Sequence, residues 1–243
     1  MCLSLALSEN KETGNIDSKV SFIWPQKRVP LEVVCVIDES GSMNGLANIK
    51  SNDDSESNGL TILDIVKHAV KTVIEILEPE DKLSLVGFTR NARIVMNSKY
   101  MTTNGKKDAK SKVDRLHAQN STNIWDGLKL GLEILNHSQD ILSNKVILLL
   151  TDGVPNVNPP YNDYKTALAN YKSKYYININ TFGFGYNLDS KILNDIANFS
   201  NGFYNFIPDA FNNISIPPNF FSLNISDNIR DKLSNDYWNL KDG

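Results

Sequence analysis

Cysteine is nearly absent from this chain of 243 residues: there are 2, Cys2 and Cys35. So few cannot build a disulfide framework or a zinc ligand set, and Cys35 stands in an apolar run where a thiol acts as a small hydrophobe. That usage fits a reducing compartment, and the expected location is cytoplasmic. Asn120-Ser121-Thr122 is a glycosylation sequon whose glycan would stand on a candidate ligand; a glycan found on Asn120 of the native protein would overturn the expectation. Histidine is scarce too, at 3. His68, His117 and His137 are isolated, and no Ser or Cys stands in a nucleophile elbow, so no catalytic triad forms. Positive charge is not in surplus either: 25 Lys and Arg face 28 Asp and Glu, a formal net charge of -3. A dedicated nucleic-acid binder, which needs a basic face, is thereby excluded. Long hydrophobic runs are missing. The apolar start at 1–7 lacks a basic flank and is too short for a secretory core or a bilayer span, so a soluble protein without membrane contact is expected. No Gly-x-x-x-x-Gly-Lys phosphate loop occurs, and Gly183-Phe184-Gly185 lacks the third glycine of a dinucleotide fingerprint and reads as a turn.

What is present is ordinary globular material, 41% hydrophobic and 22% charged, enough for one domain with attachments. Asn fills about one position in eight, a compositional bias. The clearest low-complexity stretch, 44–59, where Asn, Ser, Asp and Gly crowd together, is expected as a flexible loop because nothing in it can be buried. From Leu31 a β-branched, almost continuously apolar run ends at Asp38 and suits a central strand covered on both faces. Thr61, with Asp64 three residues on, opens a helical stripe closed by Pro79. Strands follow at 83–88 and 92–96, separated by a hairpin-sized turn, so one strand must run antiparallel. Helices are expected at 106–117 and 124–136, then a strand at 146–150 running into Thr151-Asp152-Gly153. A helix over 163–174, a strand at 177–184, a helix capped by Asp189 and a last strand near 203–207 complete the alternation. The sum is a doubly wound α/β fold: a mostly parallel six-stranded sheet with one antiparallel edge strand and helices on both faces. Its expected span is 29–210. Residues 1–28 read as strands outside the main sheet, and 211–243 as an irregular extension, broken by Pro217-Pro218, with a short helix at 225–233.

Ligands of such sheets bind beyond the carboxyl ends of the strands. There the chain places oxygen. Asp38-Glu39-Ser40-Gly41-Ser42 follows the first central strand, Asp152 follows the fourth, and Ser121-Thr122-Asn123 precedes the helix at 124. Carboxylates, hydroxyls and water suit a hard ion, Mg²⁺ or Mn²⁺, and no His or Cys cluster is there to favour zinc. Asp38, as a polar residue at the rim, is expected to carry little core packing. Glu39 alternates away from the metal-facing positions and is expected in solvent or in an edge contact.

At these residues the chain resembles the von Willebrand factor type A family with its metal-ion-dependent adhesion site, over roughly 30–209. Asp38, Ser40 and Ser42 match its Asp-x-Ser-x-Ser, Thr122 its separate threonine and Asp152 its distal aspartate. The stretches 29–43, 121–128 and 206–209 are most similar to the intracellular branch found beside RING-type ubiquitin ligase modules, although no zinc-binding cysteine set accompanies them. The resemblance implies Mg²⁺ held by the hydroxyls of Ser40, Ser42 and Thr122, with Asp38 and Asp152 acting through water. It also implies an open position for a carboxylate from a partner protein. Neutral hydroxyl ligands leave the ion much of its pull on an incoming acid. The function expected is therefore a metal-dependent protein-binding module, monomeric as an isolated domain and not an enzyme. The alternative is a Mg²⁺-dependent α/β hydrolase or phosphoryl-transfer enzyme, which needs a general base or phosphate loop; Glu39 is the one candidate base.

Overall fold

Continuous β-branched runs are stable only between two covering layers, and the chain gives them those layers. The computed structural model describes residues 2–9, 16–23, 28–50, 55–119 and 121–207. Two strands, β1 (Cys2–Glu9) and β2 (Ile16–Ile23), pair antiparallel with each other in a sheet of their own. The central strands begin with β3 (Leu31–Asp38). A second small hairpin, β4 (Leu46–Lys50) and β5 (Ser55–Thr61), comes next, then α1 (Ile62–Ile76), β6 (Lys82–Phe88), β7 (Ala92–Tyr100) and α2 (Thr103–Asp114). The rest is α3 (Ile124–Asn136), β8 (Asn144–Thr151), α4 (Tyr164–Asn170), β9 (Ile177–Phe184), α5 (Ser190–Phe199) and β10 (Tyr204–Ile207).

The six-stranded sheet has the order β10-β9-β8-β3-β6-β7, and only β7 runs antiparallel to its neighbour. The chain moves from β3 to β6 on one side and returns to β8 on the other, so β3 and β8 bound the switch point of a doubly wound sheet. Alternate residues of β3 serve opposite layers. Val33, Cys35 and Ile37 pack in one core cluster with Val66, Val70 and Val73 of α1 and Val113 of α2. Val34 and Val36 join Leu128 and Leu132 of α3, Leu168 of α4 and Ile196 of α5 in the other. α3 comes close to the sheet because Gly127 faces it: a Cβ there would stand 2.7 Å from Phe88 Cδ1 and 2.9 Å from Val36 Cγ1.

Local signals fix several helix starts. Thr61 and Asp64 form the capping box read from the sequence, with Asp64 N donating to Thr61 Oγ1 at 3.1 Å and Thr61 N to Asp64 Oδ2 at 3.0 Å. The hydrogen bond from Thr61 N holds the Asp64 carboxyl below its usual pKa. A carboxylate with a lowered folded pKa stabilises above its unfolded value of about 3.9, and the contribution disappears as pH falls through the folded one. Asp64→Asn is therefore expected to lose about 0.5–1 kcal/mol at pH 6. Urea unfolding should show the gap to wild type closing between pH 4 and 2; a gap unchanged over that range would refute the charge's role.

Several expectations are corrected. Residues 44–59 are not an unstructured loop throughout, because β4 and β5 pair across them, and the expectation that nothing there is buried fails at Ala47, which packs in the core. β7 extends four residues beyond 96, since its outer residues are exposed at an edge and carry no apolar signal. α2 starts at Thr103, where Thr102 accepts from Gly105 N, and ends at Asp114 rather than 117. α4 stops at Asn170; Tyr171 and Tyr175 pack on the α3 layer from the segment beyond it. Gly183 lies within β9 rather than in a turn, and of the pair it is Gly185 that takes a positive φ, 76°. The expected helix at 225–233 lies outside the described residues.

At the amino-terminal pole of the sheet, Asp81 is 0 % exposed. It accepts from Leu31 N at 2.8 Å, Glu78 N at 2.7 Å and both terminal nitrogens of Arg28, one of them at 2.9 Å. Its backbone oxygen also accepts from Met101 N at 2.8 Å. One residue, through its carboxylate and its backbone oxygen, thus joins the entries of β3 and β6 to the exit of β7.

Candidate functional site

The carboxyl ends of β3 and β8 lie side by side, and the loops that leave them turn toward the same crevice. Asp38 closes β3. Its Oδ1 accepts from Ser40 N at 2.7 Å, which bends the chain into a single helical turn over Gly41–Asn44, and its Oδ2 accepts from the Thr151 hydroxyl at the end of β8. The turn brings Ser40 Oγ within 2.9 Å of Ser42 Oγ, and Ser42 Oγ donates to Asp152 Oδ1 at 2.8 Å. Thr122 arrives from the loop before α3. Its backbone N donates to Asn156 Oδ1 at 3.0 Å and its carbonyl accepts from Asn156 N at 2.8 Å, so the loop after β8 clamps it. A Cβ placed on Gly153 would lie 3.5 Å from Thr122 Oγ1 and 3.7 Å from Ser42 Oγ, so a bare glycine keeps the space between the two hydroxyls clear. The result is an open cleft of about 290 Å³ lined by Ser40, Ser42, Thr122, Val154, Asn156 and Asn187.

The structure therefore brings Ser40, Ser42 and Thr122 to the lining of one cleft and links Asp38 and Asp152 to that group by hydrogen bonds. The rim expectation for Asp38 is corrected: it is 0 % exposed, because the turn and β8 close over it. Burial, reinforced by the charge of Asp152, pushes its carboxyl up to about 7 against the donors that favour ionisation, and burial raises Asp152 as well. Two raised carboxyls beside hydroxyl oxygens form a site in want of positive charge. The donor set, all oxygen and part neutral, fits a hard divalent cation. Among the described residues no group of three His, Cys, Asp or Glu gathers that could hold a softer metal.

Glu39 also departs from expectation. It is 1 % exposed, and one Arg93 nitrogen donates to both carboxylate oxygens at 2.8 Å. The sequence signal for it was Gly87 in the interior of a strand, which marks a close approach. A Cβ there would come within 2.0 Å of Glu39 Oε2. Sequence reasoning likewise missed Asn156, which lies in a polar loop with no periodicity.

A family model for the von Willebrand factor type A domain matches residues 32–218, and the chain belongs to that family. An uncharacterized protein of Synechocystis, sll0103, is 34% identical over 182 residues, which cover 74% of this chain and 38% of that one. The E3 ubiquitin-protein ligase WAV3 of Arabidopsis thaliana is 28% identical over 156 residues, covering 64% of this chain and 19% of the ligase. The chain thus spans well under half the length of these relatives. Among solved structures, a von Willebrand factor type A protein from Catenulispora acidiphila superposes with a TM-score of 0.62 at 22% identity, over 86% of this chain and 42% of that one. Proximal thread matrix protein 1 from the mussel byssus, solved with a zinc-occupied metal-ion-dependent adhesion motif, gives a TM-score of 0.54 at 18% identity over 74% and 44%. These likenesses confirm the fold.

Proposed function

We propose that the cleft binds one Mg²⁺ or Mn²⁺ and uses it to capture an Asp or Glu carboxylate of a partner protein. The observation that carries the reading is the hydrogen-bonded chain Ser40–Ser42–Asp152, with Asp38 anchoring the turn beneath it and Thr122 facing the same space. Ser40, Ser42 and Thr122 would hold the ion by their hydroxyls, and Asp38 and Asp152 would support it from behind. Bound there, the ion supplies positive charge for an incoming acid, undiminished where its nearest ligands are neutral. With three hydroxyl ligands, and even with five protein oxygens at most, a six-coordinate ion keeps at least one position for water or a partner. Glu39, the one candidate base, is tied up by Arg93 and turned over β6, which supports binding rather than hydrolysis. The mussel protein's occupied motif supports a metal at this place in the fold.

Titration calorimetry with Mn²⁺ tests the metal, and retention of an immobilised Asp-containing peptide, compared with its Asn counterpart, tests the carboxylate. One ion per chain is expected, with retention of the Asp peptide alone and its loss in EDTA. Retention indifferent to EDTA would sink the proposal.

A further inference from the structure

A charged residue that is buried inside a metal motif without belonging to it calls for an explanation. Glu39 stands between Asp38 and Ser40, yet its side chain leaves the oxygen cluster and lies over Gly87 of β6. Burying a carboxylate costs several kcal/mol, and an apolar residue of similar size fills a core position as well or better. What an apolar residue cannot do is accept hydrogen bonds from two directions. Arg93, on the edge strand β7, donates one nitrogen to both Glu39 oxygens at 2.8 Å, and His117 N approaches Glu39 Oε1 at 3.4 Å. The backbone of the same residue continues the pattern: Glu39 N donates to Phe88 O at 2.8 Å and Glu39 O accepts from Gln119 N at 2.6 Å. His117 and Gln119 belong to the segment that leads into Thr122.

We infer that Glu39 is a positioning residue of the site: clamped by Arg93 over Gly87, it hangs the Thr122 loop from the Asp38–Ser42 loop and so fixes the distance between the hydroxyls of the two. The inference rests on the metal reading above and adds to it a residue pair outside the ligand set. The two loops meet at the site from elements far apart in sequence. Asn156 holds the Thr122 loop from the β8 side, and Thr89 O accepts from Asn123 N at 2.8 Å beyond it. Glu39 supplies the hold from the β3 side. Ser121, with φ 78°, carries a backbone strain that such anchoring on both flanks sustains. Because a single Arg93 nitrogen makes both contacts, a lysine ammonium can take its place, whereas methionine cannot. Arg93 has a half-exposed side chain, so its replacement leaves the core untouched.

The test reads the clamp and the metal separately. Backbone hydrogen exchange in EDTA reports the His117 and Gln119 amides, and calorimetry reports Mn²⁺ affinity, for wild type, Arg93→Met, Arg93→Lys and Gly87→Ala. Arg93→Met and Gly87→Ala are expected to speed exchange at both amides and to weaken Mn²⁺ binding about tenfold. Arg93→Lys should restore both to within about threefold of wild type. Should Gly87→Ala fail to fold, the Arg93 pair decides alone. Protection lost with Mn²⁺ affinity unchanged overturns the inference, since the clamp is then structural only; so does protection retained in Arg93→Met. Wild type that binds no Mn²⁺ overturns the metal reading itself, and the positioning role with it.

Discussion

Replacing Asp38 by asparagine is expected to weaken Mn²⁺ binding by about 10- to 100-fold, the cost seen when a group supporting a metal ligand is lost. The change keeps the shape of the side chain and an oxygen for Ser40 N. The new amide nitrogen faces the Thr151 hydroxyl, which accepts as readily as it donates. Only the charge is removed. Burial has already raised the Asp38 carboxyl to about 7, so the fold loses little when the ionised form is no longer available. Calorimetry with Mn²⁺ and thermal unfolding in EDTA separate the two effects. An affinity within twofold of wild type would remove Asp38 from the site; a fall in melting temperature of more than about 5 °C would show that the turn, not the ion, depends on it.

The largest loss of stability is expected at the opposite pole. Asp81→Ala leaves Leu31 N, Glu78 N and the Arg28 guanidinium without their common acceptor. Removing one partner of a buried charged pair costs about 3–5 kcal/mol, and the lower end applies because the Arg28 side chain is 27% exposed and can turn to water. At about 2–4 °C per kcal/mol for a domain of this size, the melting temperature should fall by roughly 6–12 °C. Metal affinity should not change, because Asp81 sits at the amino-terminal ends of the strands and the site at their carboxyl ends. A shift below about 3 °C would mean that water replaces the carboxylate at little cost.

The elements legible in the sequence are those whose burial is one-sided or complete. The helix expected at 124–136 matches α3 over its full span, with Ile124, Leu128, Leu132 and Leu135 buried, and the strand expected at 177–184 matches β9, every residue of which is buried. Edges were hidden: the outer half of β7 carries Asn97, Ser98 and Lys99, polar side chains that say nothing about a strand held by backbone pairing. The hairpin of β4 and β5 was illegible for the same reason. In the candidate site, alternation after a strand end picked out Asp38, Ser40 and Ser42; Asp152 was read from the end of another strand and Thr122 from the loop before a helix, and the family resemblance joined the five. The alternation rule misplaced Glu39. Alternation says which side a residue leaves from, not that a glycine on the neighbouring strand will let it fold back across the sheet.

The β4–β5 hairpin leaves the domain at Gly45 and returns at Ile62, and those two residues share a hydrogen bond, Ile62 N to Gly45 O at 2.9 Å. The ends of the excursion are therefore joined whatever lies between them. Loop-closure entropy rises only about 0.6 kcal/mol for each doubling of length. Apart from Ala47, which is buried in the core, the segment can lengthen or shorten at little cost in stability, while Ser42 on one side and the Thr61 cap on the other stay in register. A change of length within the hairpin thus leaves its root fixed beside the cleft, between Gly45 and Ile62.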